Sequence, residues 1–212
     1  MIKFTIILSK CNFSSVGLLN ILTGIYGNEN IVSFSKLNEL YEWRKKVSVE
    51  VSLKLYIIMP AVFSDVQGFD CLISSSDTLE KAGVSDVIIL NESELLPELF
   101  ISICSCYGWI IANIYKLSCK DITSEIVFIE KEKKENKRRD IMLTYREHLV
   151  LGYLLKGLTV CEINKLIDVK MKTTYTFCSN LKRKLGVIST CKVYDYRNII
   201  NKAIKNGIIR LK

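Results

Sequence analysis

The chain has 212 residues, 49% of them apolar and 25% charged, with ten glycines and two prolines, which excludes a wholly disordered, collagen-like or proline-rich protein and suits one or two domains with a sizeable core. The formal net charge of +8 is unevenly spread. Residues 1–120 carry 10 Lys and Arg against 12 Asp and Glu, residues 121–142 six of each, and residues 143–212 14 against 4, so the last third calls for a polyanion, nucleic acid or an acidic membrane face.

Over residues 1–120, short β-branched runs alternate with helical patterns, as in βαβ units around a parallel sheet. Lys3–Leu8 predicts a buried strand. Val16, Leu19, Leu22 and Ile25 fall at helical spacing within Ser14–Tyr26, with Gly27 as the stop. Ile31–Ser33 is a weak second strand, a helix follows over Lys36–Lys46, and Leu53–Met59 is a third strand stopped by Pro60. Ala61–Gly68 has poor periodicity, so the third helix is short or lost. Phe69–Ser74 and Asp86–Leu90 read as the fourth and fifth strands, with a small helix at Asp77–Ala82 between them. Glu92–Tyr107 then closes the domain as a long apolar helix. Leu99–Tyr115 carries no charge for 17 residues, but it contains two serines, an asparagine and a glycine. It falls short of the roughly 20 apolar residues that a membrane span needs, and is expected to be a buried helix ending near Gly108.

Lys131–Asp140 (KEKKENKRRD) has no apolar residue to anchor it to a core. Residues 121–140 are therefore expected to be a charged linker between domains over 1–120 and 141–212. From Leu143 the pattern is helical. Thr144 with Glu147, and Thr159 with Glu162, are spaced as capping boxes at the starts of two helices. Leu149, Leu151, Leu154 and Leu155 give the first helix its apolar face, with Gly157 as the stop, and the second runs over Thr159–Ile167. After a turn at Asp168–Lys170 comes a third helix from Met171 to Leu185, whose inward stripe is Thr174, Cys178, Leu181 and Leu185. The last helix covers Lys192–Lys205, with Val193, Tyr196, Ile199, Ile200 and Ala203 inward.

Two short helices joined by a tight turn in a strongly basic domain are what a helix-turn-helix requires. Opposite the apolar stripe of the third helix lie Tyr175, Thr176, Ser179, Lys182 and Arg183. Polar groups towards its N-terminal half suit base edges, while Lys170, Lys172, Lys182 and Arg183 suit phosphates. Other readings stay open for some of them: Lys182, Arg183 and Lys184 as a solvated helix end, Tyr175 and Phe177 as local packing. Arg146 and Glu147 support the fold through caps and pairs, and His148 is a bystander.

Chemistry beyond binding finds little support. The start of the chain holds an apolar run of only Phe4–Leu8, too short for a secretory signal, so the eight cysteines are expected to stay reduced in a cytoplasmic protein. Cys104 and Cys106 form a C-x-C without a second pair at zinc spacing, and His148 is the only histidine. There is no phosphate-binding glycine loop, nucleophile constellation or evident pair of catalytic carboxylates. The expectation is a protein without metal or cofactor, not an enzyme.

Leu143-Thr-Tyr-Arg-Glu, Gly157, Glu162-Ile163, Leu166, Thr173 and Asn180-Leu-Lys-Arg-Lys-Leu-Gly-Val187 together resemble, without a gap, the LuxR/FixJ-type helix-turn-helix of bacterial transcription factors. The resemblance implies a recognition helix beginning near Lys170, base-reading positions at Tyr175, Thr176 and Ser179, DNA contact by Thr173, and a last helix that pairs two copies. Four positions depart from the family pattern: Thr174 stands where valine is usual, Phe177 where histidine is, Lys170 where serine is, and Asn164 where a small alanine is.

Such regulators often carry a receiver domain in front, and Lys3–Leu22 is similar to its first strand and helix. The resemblance places Ser9 and Lys10 where a receiver holds its magnesium-binding acids, and Asn91 where it has its lysine. No Asp or Glu lies between Val51 and Ser64 to accept phosphate. The amino-terminal domain therefore resembles an α/β, flavodoxin-like receiver without its chemistry, with no phosphoacceptor and no metal site. Glu92–Tyr107 resembles the last receiver helix, and Leu95, Leu96, Leu99, Phe100 and Ile103 on it offer either a pairing surface or ordinary core. The layout resembles the auxiliary regulators of enterobacterial capsule synthesis. It implies a phosphorylation-independent, DNA-binding dimer, or alternatively a protein that acts only as a heterodimer with a true response regulator.

Overall fold

The computed structural model describes residues 2–27, 30–47, 51–59, 72–73, 75–94, 98–132, 140–187 and 189–212. The β-branched runs form strands that are apolar on both faces because helices cover both sides of the sheet. The strands β1 (Ile2–Leu8), β2 (Ile31–Phe34), β3 (Val51–Met59), β4 (Val84–Asn91) and β5 (Ile110–Asn113) make one parallel sheet in the order β2-β1-β3-β4-β5. Parallel neighbours require crossovers. Those described are the helices α1 (Asn12–Tyr26), α2 (Leu37–Lys46), α3 (Ser76–Lys81) and α4 (Glu98–Cys106), and α5 (Cys119–Glu132) follows the last strand. Ile7, Tyr56, Ile88 and Leu90 from the sheet share a core with Leu18 and Leu22 of α1 and Ile126 and Ile129 of α5. Trp43 of α2 meets Phe4 edge-on at 5.1 Å and Phe34 at 5.9 Å.

This is the receiver-like α/β fold expected, but its second half is shifted by one strand. Leu72–Ile73 are helical, so Phe69–Ser74 does not supply the fourth strand; its remaining residues lie outside the described ones, as do Ala61–Gly68. Asp86–Leu90 belongs to the fourth strand, and the fifth is Ile110–Asn113. Glu92–Tyr107 is consequently not the last helix: α4 occupies Glu98–Cys106, Gly108 turns the chain at φ 67, and the strand follows. The uncharged stretch is thus a helix and a strand, and among the described residues no helix is long and apolar enough to cross a membrane. Of the residues weighed as a pairing surface, Leu99, Phe100 and Ile103 are buried, while Leu95 and Leu96 lie outside the described residues. Residues 121–132, expected as linker, continue α5, which buries Ile126 and Ile129 against the sheet.

The charged residues of α5 are also anchored. The Tyr56 hydroxyl donates to Glu130 Oε1 at 2.7 Å and lies 2.9 Å from the Tyr26 hydroxyl, and Lys54 pairs with Glu130 Oε2. Burial and the neighbouring carboxylate push both tyrosines well above their ordinary pKa, so both remain neutral donors. Tyr56→Phe should destabilise this part of the protein by about 1–2 kcal/mol, because it removes the hydroxyl that links helix and sheet. Urea unfolding followed in the receiver-like part measures it, and an unchanged midpoint would show the link to be idle.

By its internal contacts the chain divides into two units: Met1–Leu95 with Cys104–Asn136, and Leu96–Ile103 with Lys137–Lys212. In the second unit, β6 (Ile141–Leu143) leads into α6 (Tyr145–Leu155), α7 (Val160–Ile167), α8 (Met171–Leu185), α9 (Thr190–Asp195), α10 (Arg197–Lys205) and β7 (Ile209–Leu211). Two features differ from the all-helical expectation. β6 and β7 pair in parallel, Ile141 opposite Ile209, and the last helix divides at Tyr196 into α9 and α10. The core gathers Leu143, Val150, Leu151, Leu154, Ile163, Leu181, Leu185, Val193, Ile199 and Ile200, all buried, with Leu149 and Leu155 half-buried at its margin.

Candidate nucleic-acid interface

The interface is built on two capped helices and a tie. Thr144 caps α6: its Oγ1 accepts the Glu147 amide at 3.3 Å, and Glu147 Oε2 accepts the Thr144 amide at 2.8 Å. Thr159 and Glu162 repeat the arrangement at α7, with distances of 3.3 and 2.8 Å. α7 ends at Asp168, whose φ of 46 lies in the left-handed region that aspartate tolerates better than most residues. The chain then turns through Lys170 into α8, which Gly186 closes at φ 69.

Two ties orient α8, and a third joins α6 to the end of α7. The Thr174 hydroxyl donates to Asn164 Oδ1 at 2.6 Å, joining the two helices of the motif; Thr174 is completely buried. Lys184 donates to Glu147 Oε2 at 2.6 Å and to the Met142 carbonyl at 2.9 Å, joining the end of α8 to the start of α6. Arg146 reaches the Ile167 carbonyl at 3.5 Å, across the end of α7. Burial drives the Glu147 carboxyl upward in pKa, but the Lys184 ammonium and the Thr144 amide and hydroxyl outweigh it and hold it below the ordinary range.

With Thr174, Cys178, Leu181 and Leu185 turned inward as expected, α8 presents an opposite face. Lys172, Tyr175, Thr176, Ser179 and Arg183 are exposed on it at helical spacing, and Lys170 is exposed at its start. Thr173 and Lys182 flank this face half-buried, and Phe177 is half-buried too. Among the described residues, none of Lys170, Lys172, Lys182 and Arg183 is in an ion pair, whereas Lys184 is committed to Glu147, Lys192 to Asp195 and Arg210 to Asp140. Of the three cations weighed as a solvated helix end, Lys184 is thus a structural one. Sequence reasoning passed over Met171, which is 38% exposed beside Tyr175, itself 55% exposed. Its signal was an apolar side chain at the first position of a helix whose apolar stripe begins three residues later. His148 is half-buried on α6.

At the carboxyl ends of the sheet strands, Ser9 accepts the Cys11 amide at 3.1 Å and donates to the Cys11 carbonyl at 3.2 Å, at the start of α1. Asn91 ends the fourth strand rather than the fifth, and its side chain closes a turn with Ser93, 2.8 Å to the carbonyl and 3.2 Å from the amide. The fifth strand ends at Asn113.

Residues 142–197 match the model of the bacterial regulatory proteins of the luxR family. No curated protein matches the chain. Among solved structures, RcsB from Salmonella enterica serovar Typhimurium, bound to promoter rprA in the presence of phosphomimetic BeF3-, is similar with a TM-score of 0.65 at 17% identity, covering 94% of this chain and 100% of that one. A complex of the two-component response regulator RcsB with DNA gives 0.61 at 17% identity over 94% and 98%. A structure of two RcsB dimers on two parallel DNAs gives 0.65 at 17% identity over 94% and 98%. These likenesses show the fold: a receiver-like sheet domain followed by a LuxR-type helical domain.

Proposed function

We propose that the chain is a sequence-specific DNA-binding transcriptional regulator that acts as a dimer, independently of phosphorylation. Its DNA-binding module begins at about residue 141, with α8 in the major groove. One observation carries the reading: the exposed face of α8 bears hydroxyls and cations that form no ion pair among the described residues, in the part of the chain where 14 basic residues meet 4 acidic ones. Lys170, Lys172, Lys182 and Arg183 take phosphates, while Thr173, Tyr175, Thr176 and Ser179 face the groove. Similarity to RcsB, solved on DNA and as dimers, supports duplex DNA as the partner and two copies as the binding unit.

The residues at the described strand ends support phosphorylation independence. Ser9 and Lys10 follow β1, Met59 ends β3, and the fourth and fifth strands end in Asn91 and Asn113. None of these residues carries a carboxylate, the group that binds a divalent cation most strongly, and the carboxylate that follows, Glu92, accepts the Ser14 hydroxyl at 3.2 Å. Incubation with acetyl phosphate should leave the mass and the DNA affinity unchanged, and a stable phosphoprotein overturns this part of the reading.

Gel-shift titrations of the full chain in rising salt test DNA binding. Affinity should fall steeply and linearly on a log–log plot, and Lys172→Ala should reduce the slope by about 0.9, the counterion release of one phosphate contact. Binding insensitive to salt overturns the reading. Retention only when a phosphorylatable regulator is added would instead favour obligate heterodimerisation.

A further inference from the structure

The exposed face of α8 is poor in the groups that read most bases. Guanine is recognised by Arg or Lys, adenine by Asn or Gln in bidentate fashion, and cytosine by Asp or Glu. From Met171 to Ser179, the turns that enter the groove, the helix has none of these except Lys172. Arg183 lies eleven residues beyond Lys172, about 16 Å along the helix axis, outside these first turns, where it takes a phosphate in the reading above.

What the first two turns present instead is apolar surface. Met171 and Tyr175, one helical turn apart, are 38% and 55% exposed, and neither enters the core that Thr174 and Cys178 join. Beside them Thr176 is exposed, but its hydroxyl donates to the Lys172 carbonyl at 3.0 Å. That proton is spent within the helix, so towards DNA the oxygen is an acceptor only.

Apolar contact in the major groove has one specific target among the bases, the 5-methyl group of thymine. We infer that Met171 and Tyr175 read thymine methyl groups, so that the half-site of this protein is specified at its centre by A·T pairs. Thr176 completes the readout by accepting a hydrogen bond from the exocyclic amine of an adenine. The inference rests on the DNA-binding reading and adds to it the chemistry of the bases selected.

The test uses the full chain. Duplexes are selected from a random pool at fixed salt, and each thymine of the selected site is replaced in turn by deoxyuridine, which lacks only the methyl group. At one or two positions per half-site the replacement should weaken binding about four-fold, the worth of one buried methyl. Met171→Ala or Tyr175→Ala should abolish the penalty at its own position with the salt slope unchanged, and Tyr175→Phe, which keeps the ring, should retain it. Equal affinity for thymine and uracil throughout, or a penalty that survives both alanine variants, overturns this inference while leaving DNA binding intact. Failure to retain any duplex at low salt overturns the DNA-binding reading, and this one with it.

Discussion

Glu147→Ala is expected to destabilise the second unit by about 3 kcal/mol. Glu147 is 3% exposed and its carboxylate serves two partners: it accepts from the Thr144 amide at the start of α6 and from the Lys184 ammonium at the end of α8. Removing it breaks the carboxylate half of the α6 capping box and leaves a partly desolvated lysine without its ion pair, and the effect stays at the lower end of the range for buried pairs because Lys184 keeps some contact with water. Glu147→Gln keeps an acceptor without the charge, so the gap between the two variants isolates the ionic part. The pH dependence has a fixed sign. Because its folded-state pKa is depressed, Glu147 contributes its stability above the ordinary carboxyl value of about 4.3 and loses it as pH falls below that, through the folded pKa. Acid unfolding of the Gln variant should therefore lack part of the decline below that pH. Lys184→Met should lower stability without changing the salt slope of DNA binding, since its ammonium faces Glu147 and the Met142 carbonyl. Urea unfolding read in the carboxyl-terminal helices gives these values, and a loss well under 1 kcal/mol in Glu147→Ala would mean the carboxylate is a bystander.

The helix-turn-helix was legible in the sequence because its signals are local. Thr144 and Glu147, like Thr159 and Glu162, are three residues apart, and the inward stripe of α8 repeats at the helical period. The contacts that position α8 were not legible, since Lys184 and Glu147 lie 37 residues apart and nothing in their spacing couples them. In the receiver-like part, Ile110–Asn113 is four residues long and follows an apolar helix with only Tyr107, Gly108 and Trp109 between, so periodicity could not divide them. α5 was obscured for a different reason. Its buried residues Ile126 and Ile129 bound an apolar run of only four residues, Ile126–Ile129, set between Glu125 and Glu130 and followed by KEKKENKRRD, and so short a run amid charges reads as linker.

Two departures from the family pattern, Asn164 and Thr174, make sense only as a pair. With alanine and valine in these places the helices of the motif would meet through apolar groups; here the Thr174 hydroxyl, sealed from solvent, donates to Asn164 Oδ1 at 2.6 Å. Such an exchange is nearly neutral when both partners change and costly when one does, because a buried polar group left unpaired loses its hydration without compensation. Thr174→Val should cost about 1–2 kcal/mol, and Asn164→Ala about 1–3 kcal/mol, since it strands the fully buried hydroxyl. The Thr174 hydroxyl can recover part of that loss by turning to the carbonyl one helical turn back. The double variant should return to within about 0.5 kcal/mol of the starting stability, giving a coupling of about 1 kcal/mol or more in a double-mutant cycle. The cycle also has a functional arm. The pair fixes α8 against α7, so the single variants should lose affinity for a selected site more than for random duplex, and the double variant should regain that ratio. If the singles add without coupling, the two substitutions entered the motif independently, and the orientation of α8 rests on its apolar stripe and the Glu147–Lys184 contact alone.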